Sequence, residues 1–401
     1  MALMPVEEAL SRILANVRPL PSENVALDEA LGRVLARPVS ARRNQPPFNA
    51  SAMDGYAVMA DDVTSVPVSL TLAGVSAAGH GFAERLKSGQ CVRILTGAPL
   101  PRGADTVVIQ ENVRLLPTGV VQIREGVRRG QNVRPAGLDF RRGDVLLPAG
   151  LTLSARDLGL AAAANAARPP VRRKPVIAIF ATGDELVLPG TTPGASQIIS
   201  SNSHALEAMA ASFGARIVNF GIVRDQLKAT ERIIAKASNA DILLTTGGAS
   251  VGDHDYVQEA LRNAGVDIAF WKIAMRPGKP FMYGRRKRQH VLGLPGNPVS
   301  ALVCARLFLV PLIRSLLGQN PGPDIVQARL GSAMKANDGR QDYVRARLSE
   351  AADGTRTVTP FPVQDSSMQR TFREADALVV RPPHAPAATE GDVVDILRLD
   401  F

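Results

Sequence analysis

Aromatic side chains and cysteines are scarce in this chain of 401 residues. Phe, Trp and Tyr together make up 4% of it, so aliphatic side chains must fill the cores. The two cysteines, Cys91 and Cys304, are far apart and have no CxxC partner. This excludes a disulfide framework and a zinc site, and it favours buried thiols in a reducing compartment. We therefore expect a cytoplasmic protein.

The chain also lacks metal-ligand spacing among its histidines and an uninterrupted apolar run. Its five histidines are scattered. The most apolar segment, residues 301–317, is interrupted by Arg306, Pro311 and Arg314, which predicts a core helix and no membrane span. Two glutamates among the first eight residues argue against a signal peptide.

Positive charge, in contrast, is abundant. The net charge of +10 favours polyanionic or phosphorylated ligands, or an arginine-rich solubilised surface. The basic run at residues 285–288 lies between two strand-like segments, so it predicts a solvated hairpin tip. No basic-aromatic interleaving accompanies it, and we expect no nucleic-acid partner.

Changes of pattern along the chain predict several domains of α/β and β class. Residues 172–318 alternate strands and helices, as in a doubly wound α/β domain. Residues 46–133 predict a small inserted β-domain, and residues 319–401 predict a C-terminal β-barrel. The flanking segments 1–45 and 134–168 are expected to fold together as an elongated α+β domain, with a short helix near residues 27–35.

The stretch from Asp241 to Tyr256 predicts an anion pocket. A short apolar strand runs into Gly247 and Gly248, and a helix is predicted from Tyr256. Free N–H groups and a helix N-terminus favour an anion here. Ser250 and the carboxylates of Asp253 and Asp255 follow the glycines, and the carboxylates favour a divalent cation that accompanies the anion. The alternative is an ordinary glycine-rich loop.

Three further polar or glycine-rich clusters follow predicted strands of the same sheet. They are residues 181–186, 276–280 and 293–300. Because ligands bind at the carboxyl ends of parallel strands, we expect all four clusters to meet at one edge.

Several candidate residues have a purely structural alternative. Asp54 could form a turn, and Thr96 could close one. Asp225 could cap the following helix. Ser300 could be a helix residue with a satisfied hydroxyl, and Pro295 and Pro298 could rigidify a loop.

Six motifs in order across the chain carry a family resemblance. They are SAMDGYAV, LTGAPLPRGADTVVIQE, ATGDEL, TTGGASVGDHDY, FWKIAMRPGKP and GLPGNPVSAL. They resemble the molybdopterin molybdenumtransferases, the MoeA family, which are similar to the gephyrin E domain. The resemblance implies insertion of molybdate into the dithiolene of adenylylated molybdopterin, with release of AMP and with Mg²⁺. It also implies a homodimer whose subunits share each active site, and contact with the molybdopterin adenylyltransferase.

The resemblance and the side-chain chemistry assign candidate site residues. The catalytic candidates are Asp54, Thr96, Glu185, Asp225 and Asp255, of which the last three suit Mg²⁺. Arg276, Lys279 and Arg345 supply positive charge, and the hydroxyls of Ser300 and Ser366 suit molybdate. The remaining substrate-binding candidates are Arg134, Asp139, Gly247, Gly248, Ser250, Lys272, Pro295, Asn297 and Pro298.

Three positions depart from the family pattern. Arg276 stands where lysine is usual, Asp365 stands where glycine is typical, and residues 375–378 read ADAL in place of ANGL. A rival hypothesis is a molybdopterin-binding scaffold of the same fold without chemistry. An adenylyltransferase on the same α/β module is disfavoured, because that activity would not need the surrounding domains.

Overall fold

The structure, a computed structural model, describes residues 3–117, 119–247, 256–322 and 324–401. The chain forms two compact units. Unit 1 comprises Met1–Glu23, Gly32–Ala36 and Arg172–Phe401, and unit 2 comprises Asn24–Leu31 and Arg37–Val171. Two short strands, Ser22–Asn24 and Pro170–Arg172, lie where the chain passes from one unit to the other.

A six-stranded sheet organises the first part of unit 1. Four parallel strands are followed by two antiparallel ones, which confirms the predicted α/β domain. In spatial order the strands are Arg216–Val223, Val176–Thr182, Ile242–Thr246, Gln289–Leu294, Met282–Arg286 and Asp267–Trp271. The last hairpin turns at Lys287 with φ +55°, so residues 285–288 form the hairpin tip that the sequence predicts.

Helices cover both faces of this sheet, because successive strand residues point to opposite sides. Ile177 and Ile179 pack into one core, while Ala178 and Phe180 pack into another. The first core contains side chains from helices Val6–Leu14, Asn202–Ser212 and Pro298–Leu316. The second contains side chains from helices Leu227–Lys236 and Tyr256–Asn263.

The segment Pro298–Leu316 is a core helix, as the sequence predicts. Of the described helices, it alone is long and apolar enough to cross a membrane, but 78% of its apolar window is buried inside the protein. It is continuous through three stretches, Pro298–Cys304, Ala305–Leu309 and Val310–Leu316, and the middle one has a wider helical turn.

Two buried polar residues, Tyr283 and His290, lie on neighbouring strands of the same sheet. Tyr283 Oη and His290 Nδ1 are 3.0 Å apart, and Tyr283 Oη also donates to the carbonyl of Ile13 at 3.4 Å. The His290 side chain is 2% exposed. Burial, with a smaller contribution from Arg285, lowers the pKa of His290 to about 4.

The C-terminal part of unit 1 is a closed five-stranded barrel, which confirms the predicted barrel. The barrel closes where Ala377–Arg381 pairs with Gln341–Glu350. Around it the strands run Gln341–Glu350, Arg356–Pro360, Ile325–Leu330, Val393–Arg398 and Ala377–Arg381. The short strand Met275–Arg276 of the α/β domain adds to the same sheet at Gln341 and Asp342, and helix Gln369–Glu374 precedes the closing strand.

Unit 2 contains a second six-stranded sheet, in accordance with the predicted small β-domain. Valine and isoleucine side chains dominate its two cores, as the scarcity of aromatic residues requires. In spatial order the strands are Thr106–Ile109, Gly55–Val58, Gln90–Ile94, Val68–Ser76, Val120–Ile123 and Val113–Leu115.

The rest of unit 2 consists of short paired strands and one helix. Val133–Arg134 pairs with Ala50–Ser51, and Val145–Leu147 pairs with Val39–Ser40. Helix Ala155–Ala163 begins at Ser154, which forms a capping box with Asp157.

The prediction of a helix near residues 27–35 is wrong. The chain makes a single 3₁₀ turn, Leu27–Glu29, and Gly32 then adopts φ +71°, which a helix cannot contain. The domain boundaries derived from the sequence stay predictions.

Candidate active site

A cleft of about 870 Å³ in unit 1 lies at the carboxyl ends of the parallel strands. We call it the unit 1 cleft. The strands that end at Thr182 and Thr246 lead into it, and the strand that ends at Leu294 runs into its neighbour Pro295. The clusters at residues 181–186, 276–280 and 293–300 each contribute lining residues, so the predicted convergence of these three clusters is observed. Its lining includes Gly183, Glu185, Asn202, Asp225, Gly247, Arg276, Lys279, Pro295, Asn297, Pro298, Ser300, Arg340, Gln364, Asp365 and Ser366.

Gly247 allows a sharp exit from the strand Ile242–Thr246. Its φ is +81°, and a Cβ atom there would lie 2.2 Å from the carbonyl oxygen of Thr182. Only glycine fits this position. The predicted anion-binding residues Gly248 and Ser250, and the predicted metal ligand Asp255, lie outside the described residues.

Carboxylates occupy one side of the unit 1 cleft. Glu185 and Asp225 both line it, and the backbone N–H of Asp225 donates to Asp184 Oδ1 at 3.2 Å. Burial, together with the negative charges of Asp184 and Glu185, raises the pKa of Asp225. The following helix has Gln226 at its N-cap, with no side-chain cap. Asp225 therefore does not cap that helix.

Two loops meet on another side of the cleft. Asn297 Nδ2 donates to Ser366 Oγ at 2.8 Å, and the N–H of Val299 donates to the Ser366 carbonyl at 3.1 Å. Pro298 occupies the first position of its helix, where a missing N–H costs nothing. Ser300 is 4% exposed and lines the cleft. These bonds hold the hydroxyl-bearing residues of the α/β domain and the barrel side by side.

The cations of the cleft differ in what they contact. Arg276 Nη2 is 2.5 Å from Asp342 Oδ2, and its Nη1 is 3.3 Å from Asp338 Oδ2. The hydrogen bond to Asp342 raises the pKa of Arg276. Arg340 is also paired with Asp338, at 2.8 Å. Lys279 has no carboxylate partner among the described residues, so its charge is available to a ligand.

Two predicted cations do not line the cleft. Arg345 is 1% exposed, and its Nε donates to Gln364 Oε1 at 3.1 Å. Burial lowers the pKa of Arg345, against the opposing charge of Asp365. Lys272 directly follows the strand Asp267–Trp271, with φ +90°. Their roles as substrate ligands stay predictions.

The departures from the family pattern have definite contacts. Asp365 lines the unit 1 cleft and accepts hydrogen bonds from the N–H and hydroxyl of Ser367, at 2.8 and 2.6 Å. These bonds lower the pKa of Asp365. Asp376, within the ADAL segment, accepts from the N–H of Leu348 at 2.9 Å. Asp365 therefore adds a carboxylate to the lining of the cleft, whereas Asp376 forms a hydrogen bond within the barrel.

In unit 2, Asp54 and Thr96 form one constellation. Asp54 Oδ1 accepts from the N–H of Thr96 at 2.6 Å and from its hydroxyl at 2.7 Å. These two bonds, with a smaller effect of the Arg93 charge, lower the pKa of Asp54. Arg93 is itself held by Gln110, at 2.7 Å. Asp54 is thereby kept as an oriented, ionised carboxylate on the surface.

Arg134 and Asp139 follow on neighbouring segments of unit 2. Arg134 pairs in register with Ala50, and the strand Ala50–Ser51 also bonds to the loop after Thr96. The N–H of Asp139 donates to the carbonyl of Gln45 at 2.9 Å. Both side chains are exposed. A role for them in substrate binding stays a prediction.

The sequence reasoning did not single out several residues of the unit 1 cleft. Asn202 donates to the carbonyl of Gly296 at 2.7 Å, and Gln364 bridges the cleft to Arg345. The Ser-Ser-Asn run before the helix Asn202–Ser212 was a usable signal, because such residues mark helix starts. No local sequence pattern identifies Arg340 or Gln364 as cleft residues, because strand pairing and barrel closure bring them to the cleft.

Comparisons with known proteins agree with this architecture. Three family models match: the MoeA N-terminal region (domain I and II) over residues 4–165, a probable molybdopterin binding domain over 178–315, and the MoeA C-terminal region (domain IV) over 327–399. A molybdopterin molybdenumtransferase of Haemophilus influenzae is 34% identical, with 98% of each chain covered. One from a Nostoc species is 38% identical, with 86% of this chain and 82% of that protein covered.

A solved structure extends the agreement to three dimensions. A molybdopterin biosynthesis MoeA protein from Pyrococcus horikosii is similar with a TM-score of 0.88, at 29% identity and with all of both chains covered. The chain therefore belongs to the molybdopterin molybdenumtransferase (MoeA) family. The resemblance drawn from the six motifs and the predicted fold class are both confirmed.

Proposed function

We propose that this protein inserts molybdenum into molybdopterin: it transfers molybdate into the dithiolene of adenylylated molybdopterin and releases AMP. The observation that carries the proposal is the unit 1 cleft, where a cation without a carboxylate partner among the described residues, hydroxyl groups and carboxylates line one cavity at the carboxyl ends of parallel strands. A phosphorylated substrate and an oxyanion need this combination of groups.

We assign molybdate to Lys279, Ser300 and Ser366, which all line the cleft. Lys279 offers a charge without a carboxylate partner in the described chain, and the two serine hydroxyls are donors for oxyanion oxygens. Arg276 contributes less free charge, because Asp342 already engages its guanidinium. The phosphates of the pterin substrate are assigned to the glycine-rich segment that begins at Gly247, because glycines do not cover backbone N–H groups with a side chain.

Mg²⁺ fits the carboxylate side of the cleft. Glu185 and Asp225 present hard oxygen donors, which Mg²⁺ prefers. Burial and, to a smaller extent, neighbouring negative charges raise the pKa of Asp225, and a divalent cation would oppose both effects. In the described residues no group of three His, Cys, Asp or Glu side chains forms a complete metal site. We propose that Glu185 and Asp225 hold Mg²⁺ together with Asp255 and substrate phosphates. The ion would offset the phosphate charge during transfer.

The resemblance to the family supports a further part of the proposal. We propose a cytoplasmic homodimer in which Asp54 and Thr96 of one subunit serve the cleft of the other. Substrate would come from contact with the molybdopterin adenylyltransferase. The orientation of Asp54 by two hydrogen bonds supports a ligand-facing role, because a pre-oriented carboxylate is suited to binding.

One incubation separates the possible functions. Purified protein is mixed with adenylylated molybdopterin, Mg²⁺ and molybdate, and AMP and the metal content of the pterin are measured. A molybdenumtransferase yields AMP and molybdenum-loaded pterin in equal amounts. Bound but unchanged substrate would identify a scaffold, and AMP release that does not depend on molybdate would contradict coupled insertion.

A further inference from the structure

Unit 2 has a large cleft of its own, away from Asp54 and Thr96. It has a volume of about 1150 Å³ and forms between the segments around Pro38, Gly143 and Pro169. We call it the arginine cleft, because four arginines line it. They are Arg37, Arg42, Arg142 and Arg168.

Among the residues that the structure describes, no carboxylate pairs with the positive charge of the arginine cleft. All four arginine side chains are exposed, and no carboxylate pairs with any of them in the described parts of the chain. No described lining residue is acidic. The unit 1 cleft differs, because three acidic residues, Glu185, Asp225 and Asp365, line it beside its described cations Arg276, Lys279 and Arg340. Four like charges around one concavity repel each other, and an anion would relieve that repulsion.

The residue types narrow the class of ligand. Each guanidinium presents a planar fork of donors that matches phosphate oxygens in two-pronged fashion. The remaining described lining is alanine, proline, valine, glycine, serine and one asparagine, without an aromatic ring. Nothing there can stack on a nucleobase or anchor a folded protein partner. Recognition by charge alone suits a compact ligand with several linked phosphates.

We propose that the arginine cleft binds an oligophosphate, meaning two or more linked phosphate groups, either free or as the phosphate chain of a nucleotide. The site is distinct from the proposed molybdenum-insertion cleft, since all its lining residues belong to unit 2. Its volume of about 1150 Å³ is sufficient for a chain of linked phosphates.

The test is calorimetric titration of the full chain with tripolyphosphate, ATP and orthophosphate at low ionic strength. The double variant Arg42→Gln/Arg142→Gln should bind tripolyphosphate at least about tenfold more weakly, because charge-assisted hydrogen bonds are lost. The matched control is Arg114→Gln, an exposed arginine of unit 2 outside the cleft, and it should bind as the unmodified chain does. Thermal melting of each variant checks that its fold is intact.

A second control separates this site from the unit 1 cleft. Lys279→Gln should leave unchanged the component of tripolyphosphate binding that the double variant loses. Loss of binding in Lys279→Gln but not in the double variant would overturn the proposal. Three other results would also overturn it. They are an equal loss of affinity in Arg114→Gln, orthophosphate binding as tight as tripolyphosphate binding, and tighter binding of a polyglutamate peptide.

ATP that binds as tightly as tripolyphosphate would identify the nucleotide form, and much weaker ATP binding would identify free oligophosphate.

Discussion

Hydrogen bonds and ion pairs decide which side chains of the site are available to a ligand. Arg276 and Lys279 are three positions apart in one loop, and both line the unit 1 cleft. Asp342 and Asp338 engage Arg276, whereas Lys279 has no such partner among the described residues. In unit 2, two hydrogen bonds from Thr96 orient the Asp54 carboxylate.

Lys279→Gln should weaken molybdate binding by about ten- to a hundredfold, because a charge-assisted hydrogen bond contributes about 1.5–3 kcal/mol. Arg276→Gln is the matched comparison and should weaken molybdate binding less, because the Arg276 guanidinium is already paired with Asp342. Equilibrium dialysis with molybdate measures both variants. An equal loss in the two would show that the ion pair does not withhold Arg276 from the ligand.

Thr96→Val should raise the pKa of Asp54 towards its ordinary value. The substitution removes the hydroxyl bond and keeps the bond from the backbone N–H, so part of the lowering should persist. The ionised, oriented form of Asp54 would then be lost at a higher pH as the solution is acidified. Carboxyl-carbon NMR titration measures this shift, with Thr64→Val, whose hydroxyl bonds to the carbonyl of Asp61, as the control. An unchanged pKa would mean that the hydroxyl is not an effective donor.

At the scale of elements, Gly247 directly follows the strand Ile242–Thr246 and lines the unit 1 cleft. Gly247→Ala should destabilise the protein by at least about 2–3 kcal/mol, through left-handed backbone strain and a clash with the carbonyl of Thr182. Gly221→Ala is the control, because Gly221 has φ +75° with open space around its Cβ position. It should cost only about 1–2 kcal/mol. Urea unfolding of the two variants measures the difference, and equal costs would refute the clash.

Elements with regular hydrophobic spacing were predictable from the sequence. The sheet edge at which the polar clusters converge was predictable too. The parallel strands, the barrel strands and the convergence of Glu185, Lys279 and Ser300 follow from periodicity and from the rule for strand ends. The helix expected near residues 27–35 failed because local spacing cannot reveal the positive φ of Gly32. The sequence could not predict the burial of Arg345 either, because Gln364 contacts Arg345 only in the folded barrel.

At the scale of the whole molecule, the proposed shared cleft predicts complementation between two inactive variants. Asp54→Ala and Glu185→Ala should each fold and lack insertion activity, because both residues lie in loops outside the hydrophobic cores and are proposed to serve the cleft. Co-expressed in equal amounts, they should recover about a quarter of the normal activity, because half of the dimers are mixed and each has one intact cleft. AMP release and light scattering measure activity and assembly. A monomer, or a mixture without activity, would contradict a shared cleft.

Proton binding links the buried Tyr283–His290 pair to the stability of the entire chain. The pKa of His290 is lowered from 6.5 to about 4, so the unfolded chain takes up a proton in a range where the folded chain does not. The free energy of unfolding should therefore fall as the pH drops from about 6.5 to about 4, by at most about 3 kcal/mol. Urea unfolding at about pH 7 and about pH 4.5 should show a smaller drop for His290→Gln than for the unmodified chain. A mildly acidic medium would thus act against the fold through one imidazole in its interior.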